Sequence, residues 1–331
     1  MTVDLEPTMA VIGCGSLGSA ILQRVLETSN EQPQSEQGDG SDSGSEEPLL
    51  PTRFLACVRT AESASRLEGQ FAAYNNTKDD KKVVNIWRAD RNVEAVRQAS
   101  AVILGCQPSQ VAQVVAEKGM TDALRGKLVL NICAGITDTV LWEMISRQPP
   151  SSSGVSGADA AERKREEYYF VHAMPNAASL VGQSETIVNP RPAGFPERYN
   201  VLTDWILGSI GHVTELPHNL MAAGTITAGC AVGFYAPSPR GGKAAGLDGD
   251  LALRMAAQAM KGAAEMVLAQ NKTPDDLIKE VATPGGCTAR GLQVLAGKER
   301  AGNVATAFEM AMKKALARIF ELEASSNGNS S

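Results

Sequence analysis

A short apolar run, Met9-Ala10-Val11-Ile12, enters Gly13-Cys14-Gly15-Ser16-Leu17-Gly18 directly, and an apolar helical pattern follows. A Gly-x-Gly-x-x-Gly turn in that position restricts the fold more than any other feature of the chain. The turn needs backbone conformations that side chains disfavour, and it points the first amides of the helix at whatever lies above them. At the start of a βαβ unit this is the fingerprint of a dinucleotide fold, with a pyrophosphate at the helix N-terminus. The expected cofactor contacts here are Gly13, Gly15, Ser16, Leu17 and Gly18.

Short apolar runs and helical patterns alternate behind this turn. The runs predict strands over 9–12, 53–58, 83–86, 101–104, 128–132, 169–172, 185–188 and 212–215. Helical spacing predicts helices over 17–27, 61–68, 93–99, 110–117, 139–145 and 196–207. Such alternation indicates an α/β fold with a Rossmann-like, doubly wound, mainly parallel sheet. After about Pro217 the strand patterns stop, and residues 251–270, 274–281, 288–295 and 304–323 all keep helical spacing. The expected organisation is a nucleotide-binding domain over 1–216, an all-α domain over 217–323 and a disordered tail over 324–331. Residues 29–49 form an acidic, low-complexity insertion with too little apolar area to order itself. Residues 75–82 and 149–167 read as polar surface loops.

A net charge of −6 leaves no basic footprint for nucleic acid or an anionic membrane. No apolar run is long enough to span a bilayer. The six cysteines are scattered without a Cys-x-x-Cys pair, and several sit inside apolar runs. They read as free thiols in a reducing compartment, so the expected location is cytoplasmic. No metal cluster and no Ser-His-Asp arrangement is expected.

The end of the second strand bears on cofactor choice. An acidic side chain there would take the ribose of NAD, but this chain reads Cys57-Val58-Arg59-Thr60. Arg59 can pair with a 2′-phosphate and Thr60 can donate a hydrogen bond to it, which favours NADPH over NADH.

Near the other end, Val281 to Leu295 carries a Pro-Gly-Gly turn followed by a helical pattern. The turn presents the amides of Gly285, Gly286 and Cys287, with the Thr288 hydroxyl, at a helix start suited to a small carboxylate. This stretch resembles the C-terminal signature of the pyrroline-5-carboxylate reductases. Leu104-Gly105-Cys106-Gln107-Pro108 is similar to the family's cofactor loop, which places Cys106, Gln107 and Pro108 along the cofactor. The strand end Asn131-Ile132-Cys133-Ala134-Gly135-Ile136 resembles the segment where backbone approaches the nicotinamide, which assigns Ala134 and Gly135 there. Ala173-Met174-Pro175-Asn176 matches the family's Met-Pro-Asn core, so the resemblance puts Asn176 beside both nicotinamide and substrate.

The resemblance implies hydride transfer from NADPH to the carbon of a cyclic C=N bond, forming proline. A protonated imine is already electrophilic, so the protein has mainly to orient it. In that scheme Thr288 binds the ring nitrogen while Gly285, Gly286 and Cys287 hold the carboxylate. The implied partners are a small cyclic imine carboxylate and further copies of the chain, as a homodimer or larger homo-oligomer through the helical domain. The chain departs from the pattern at Gln107, where lysine is usual, at His172, where arginine is usual, and at Ala177-Ala178 in place of Thr-Pro. Residues 225–235 keep Thr225, Gly229 and Phe234 of the family's helix start. The following Ala-Pro-Ser-Pro-Arg-Gly-Gly, residues 236–242, is expected to break the helix that the family continues.

Two other readings follow from these departures: a reductase of a substituted cyclic imine, such as a methylated pyrroline carboxylate, and a non-catalytic NADP-binding protein. A β-hydroxyacid dehydrogenase would need a lysine and an asparagine that residues 221–235 lack, and a ketol-acid reductoisomerase would need carboxylates that residues 216–246 lack.

Overall fold

The computed structural model of the chain describes residues 7–31, 50–75, 83–148, 165–235, 238–270, 272–282, 284, 286–295, 313–321 and 324. Eight strands form within it: β1 (Thr8–Ile12), β2 (Arg53–Val58), β3 (Val84–Arg88), β4 (Ala101–Leu104), β5 (Leu128–Asn131), β6 (Tyr169–Met174), β7 (Ser184–Val188) and β8 (Gly211–Glu215). They make one sheet in the order β3-β2-β1-β4-β5-β6-β7-β8. Every pairing is parallel except β6 with β7. The first helices are α1 (Ser16–Glu31), α2 (Ala61–Asn75), α3 (Asn92–Gln98), α4 (Pro108–Val115), α5 (Met120–Leu124), α6 (Asp138–Ser146) and α7 (Glu197–Gly208).

The apolar runs are continuous because both sheet faces are covered. Alternate residues of β1 divide between two cores. Met9 and Val11 pack with Phe54, Leu130 and Val171, while Ala10 and Ile12 pack with Leu55, Val102 and Val129. The strand order reverses between β1 and β4, both of which end at the glycine turn side of the sheet. Ligands of open α/β sheets bind at such a reversal, outside the carboxyl ends of the strands.

The chain divides into two units, Met1–Gly229 with Ile319–Ser331, and Cys230–Arg318. The first ends in α8 (Met221–Gly224) and a π-helical turn that runs over Thr225–Cys230. The described parts of the second are α9 (Ala231–Tyr235), α10 (Ser238–Ala244), α11 (Gly249–Gln270), α12 (Pro274–Val281), α13 (Cys287–Leu295) and helical residues 313–318. A capping box starts α12: the Thr273 hydroxyl accepts from the Asp276 amide while the Asp276 carboxylate accepts from the Thr273 amide.

Residues 238–244 form a helix of their own, and the junction with Ala231–Tyr235, where the break is expected, falls at residues 236 and 237. Pro239 falls in the first turn of α10, where its missing N–H costs nothing. Gly242 lets α11 approach, since a Cβ there would stand 3.2 Å from the Ala252 Cβ. The helix then ends in a Schellman turn: the Gly246 amide donates to Lys243 O, the Leu247 amide donates to Gly242 O, and Gly246 takes φ +98°. Residues 236 and 237 lie outside the described residues, as do most of 29–49 and 149–167, the 304–312 part of the last predicted helix, and all of the tail but residue 324.

Candidate functional site

The glycine turn is built for close approach. Gly13 has φ +77°, and a Cβ on it would lie 2.5 Å from the Cys106 N and Cα. Its amide and that of Cys14 both donate to Cys57 O, at 3.1 and 2.8 Å, which ties the turn to the end of β2. Gly18 packs on β1, with its ideal Cβ position 3.1 Å from a Val11 methyl. Gly15 is different, since a Cβ there would meet only Gly13 O, at 3.9 Å. Packing therefore explains Gly13 and Gly18 but not Gly15, which leaves open space at an exposed helix start. The first turn of α1 carries the amides of Ser16, Leu17 and Gly18, which have no acceptor within the helix. A pyrophosphate fits this cradle, with Gly15 giving it room and the helix dipole favouring its charge.

The loops after β4 and β5 form the adjoining wall. The Gly105 amide continues the ladder by donating to Ile12 O, and Cys106 lies against Gly13. Gln107 is exposed in extended conformation, and Pro108 is the first residue of α4. Fully buried Asn131 staples the next loop: its Nδ2 donates to Ile136 O at 2.6 Å, and its Oδ1 accepts from the Cys133 amide at 3.0 Å. That staple fixes Ala134 and Gly135 (φ +76°). Gly13, Cys106, Ala134 and Gly135 thus share the carboxyl edge of β1, β4 and β5.

Arg59 stands just beyond the end of β2. Val58 is in register with Arg88 of β3, and Arg59 and Arg88 line one hollow of about 440 Å³ that Asp90 also borders. Arg88 had no signal in the sequence, because only the β2–β3 register brings it there. The neighbouring Arg91 is already engaged, stacked over Trp87 and paired with Glu94. Thr60 caps α2: its hydroxyl accepts from the Ser63 amide at 3.2 Å and donates to the Ser63 Oγ at 2.9 Å.

Asn176 follows β6 and is buried. Its Oδ1 accepts from the Ala178 amide, which caps the turn Ala177–Val181, and its Nδ2 donates to Ala228 O at 3.1 Å. The side chain thus ties the Met-Pro-Asn segment to the π-helical turn and keeps one further N–H. Such turns concentrate at functional sites. His172, in β6, is buried, and its amide donates to Asn189 Oδ1. Asn189 Nδ2 donates in turn to Asp138 Oδ2 at 2.9 Å. Burial holds the His172 imidazole below its ordinary pKa, with Asp138 acting against that shift and His218 adding to it.

In the second unit, the Arg290 amide donates to Gly286 O at 3.1 Å, which makes Gly286 the entry to α13. The amides of Cys287 and Thr288 therefore belong to its unpaired first turn, and Thr288 is half-buried. Gly285 lies outside the described residues.

A parallel sheet with this glycine turn at its strand-order reversal defines a dinucleotide-binding fold. Residues 8–135 match the family described as "NADP oxidoreductase coenzyme F420-dependent", and residues 218–321 match "Pyrroline-5-carboxylate reductase dimerisation". The pyrroline-5-carboxylate reductase of Lophium arboricola is 37% identical, over 91% of this chain and 90% of its own length. That of Neurospora crassa is 34% identical, over 94% and 91%. Among solved structures, pyrroline carboxylate reductase from Plasmodium falciparum with NADP bound shares the fold, at a TM-score of 0.67, 20% identity and coverage of 97% and 98%. The chain belongs to the pyrroline-5-carboxylate reductase family.

Proposed function

We propose that the chain reduces 1-pyrroline-5-carboxylate to proline with NADPH. The observation that carries the cofactor half is the open cradle at Gly15, bounded by Gly13 and Cys106 and faced by the α1 amides. The substrate half is supported by full-length relatives that bear the name of this activity at 37% and 34% identity.

When bound, NADPH supplies the hydride, and the chain's residues bind and orient. The amides of Ser16, Leu17 and Gly18 hold the pyrophosphate, and Gly15 admits it. Arg59 and Arg88 hold the 2′-phosphate, which favours NADPH over NADH. The loops at Cys106, Gln107 and Pro108 and at Ala134 and Gly135 flank the nicotinamide half. Asn176 positions the π-helical turn and offers its remaining N–H. The amides of Gly285, Gly286 and Cys287 hold the substrate carboxylate, and the Thr288 hydroxyl binds the ring nitrogen, orienting the C=N carbon for attack. Residues 1–216 form the nucleotide-binding domain and 217–323 the substrate and dimerisation domain in this scheme.

The active species is a homo-oligomer joined through the helical unit, whose apolar residues are largely exposed in the single chain. No described helix is long and apolar enough to cross a membrane. The proposed cytoplasmic location is supported by the six cysteines, scattered without a Cys-x-x-Cys pair.

NADPH oxidation by purified protein, followed with pyrroline-5-carboxylate, with a methylated analogue and with no substrate, tests the reading. Turnover of the unsubstituted imine is expected, with Thr288→Ala lowering kcat at least tenfold while NADPH binding holds. Preference for the methylated analogue would reassign the substrate, and NADPH binding without turnover of either imine would overturn the catalytic reading.

A further inference from the structure

Cys106 and Cys133 occupy matching places in the loops that follow the adjacent parallel strands β4 and β5. β4 and β5 pair with Leu104 opposite Asn131, and the Ile132 amide donates to Leu104 O at 3.0 Å, carrying the register outward. Each cysteine lies two residues beyond that pair, and both side chains pack in the same apolar cluster on one face of the sheet. Neighbouring strands stand about 4.8 Å apart, within the Cα separation of roughly 4.4–6.8 Å that a disulfide spans. The Cys133 Sγ lies 3.3 Å from Leu104 O and 3.2 Å from Cys106 O.

Their environments differ in the way an oxidisable pair requires. Cys106 is partly accessible at the cofactor wall, whereas Cys133 is buried beneath it. Interaction with the neighbouring Cys133 thiol holds the Cys106 thiol below its ordinary pKa, against the opposing effect of burial. The thiolate is the nucleophile in peroxide chemistry. Cys14 and Cys57 form the contrast in the same region: burial pushes both up to about 12 and keeps them protonated.

We propose that Cys106 and Cys133 are a redox modification site, in which a hydroperoxide oxidises Cys106, Cys133 closes a disulfide onto it, and the cofactor wall is thereby deformed. In the first step the Cys106 sulfur attacks one oxygen of hydrogen peroxide. The O–O bond breaks, leaving a sulfenic acid on Cys106 and one water, so sulfur is oxidised and peroxide reduced. In the second step the Cys133 sulfur attacks the sulfenic sulfur, the S–O bond breaks, and the hydroxyl leaves as a second water with the Cys133 proton. A dithiol reverses the bond by exchange and is itself oxidised to its cyclic disulfide.

The consequence for binding rests on the proposed reading of this loop as the cofactor wall. Closing the bond withdraws the Cys133 hydrogen from Leu104 O and Cys106 O and draws Cys106 sideways. Cys106 has no slack to absorb that movement, because its backbone is already packed against Gly13.

Titrating the purified full-length protein with hydrogen peroxide tests this. Peptide mapping without reductant is expected to find the peptides containing Cys106 and Cys133 joined, with the loss of two hydrogens. NADPH binding, followed by fluorescence without any imine, is expected to weaken at least tenfold and to return with dithiothreitol. Cys133→Ala should abolish the cross-link and leave oxidised Cys106 that goes on to the sulfinic acid, beyond rescue by the dithiol. Bound NADPH should slow the cross-link. Oxidation of Cys106 without a cross-link to Cys133 would overturn the proposal, as would a complete cross-link with unchanged NADPH binding. Failure of the reduced protein to bind NADPH would count against the proposed function instead, and the peptide map would still decide whether the pair closes.

Discussion

The sheet unit and the helical unit handle apolar surface in opposite ways. In the first, β1, β2 and β4 are buried along nearly their whole length, and helices cover both faces. In the second, Ala252 is the single buried residue among those described. Leu253 and Met255 of α11 are each 55% exposed and Leu268 is 80% exposed. Leu253 and Met255 are two residues apart, on opposite sides of the helix, so apolar side chains are not confined to one stripe. A helix that is apolar on several sides belongs in an interior. The first unit closes its own core, and the second has the composition of a core without the cover.

The largest expected effect follows from the proposed assembly, in which that cover is another copy of the chain. Replacing Leu253, Met255 and Leu268 with Glu should convert the oligomer to a monomer in size-exclusion chromatography with light scattering. Burying such a side chain contributes about 1.5–3 kcal/mol, and a charge in its place is strongly disfavoured in an interface. The sheet unit should keep its cooperative thermal unfolding in the same variant. An oligomer that survives all three changes would break the comparison, since the exposed leucines would then have no part in assembly.

Substitutions at the cofactor edge should act within the sheet unit alone. Gly13→Ala meets both a positive φ and Cys106 backbone at 2.5 Å. A left-handed conformation and an overpacked contact together cost on the order of 3 kcal/mol. Lower thermal stability and at least a hundredfold loss of NADPH affinity are expected, with the oligomer intact. Gly15→Ala should separate these effects by lowering affinity at unchanged stability, because no protein atom crowds its Cβ. Arg59→Asp and Arg88→Asp should each weaken NADPH roughly tenfold, leave NADH nearly unchanged, and move neither stability nor assembly. Equal losses for the two nucleotides would remove the arginine hollow from the 2′-phosphate.

The contrast between the units also explains what could be read in advance. Strands β2 and β4 have the predicted bounds because burial on both faces makes an unbroken apolar run. The glycine turn was legible because its chemistry is local. Helix α5 was not, since it is five residues long and starts from Gly119 at φ +86°, with no room for a periodic pattern. The helix over 238–244 was hidden by its composition: glycines that disfavour a helix in isolation are offset here by contact with α11. Arg88 and the Asn131 staple needed strand register and loop geometry, and neither leaves a trace in residue spacing. The cysteine pair leaves no trace in the sequence for the same reason. A search for Cys-x-x-Cys cannot see two thiols 27 residues apart that a parallel pairing sets side by side.

The smallest expected effect is in acid, where the two units should fail at different pH. His172 is buried in the sheet with its pKa held below 6.5, mainly by the loss of water. Asp138 on α6 and His218 before α8 are the titratable groups facing it, and they act in opposite directions. A folded pKa below the unfolded one gives a stability contribution that is full above pH 6.5. It declines as pH falls toward the folded value, because the unfolded chain takes the proton first. One such proton changes stability by at most about 1.4 kcal/mol per pH unit. Asp276 in the exposed capping box of α12 is likewise lowered, chiefly by hydrogen bonds from Thr273, and its contribution is lost only as pH falls below 3.8. His172→Gln should therefore flatten the decline of the sheet unit's stability just below pH 6.5 and leave the helical unit's acid transition in place. Asp276→Asn should do the reverse. Urea unfolding at a series of pH values, with far-ultraviolet circular dichroism for helix and tryptophan fluorescence for the sheet unit, separates the two. An unchanged slope in His172→Gln would remove His172 from the acid response.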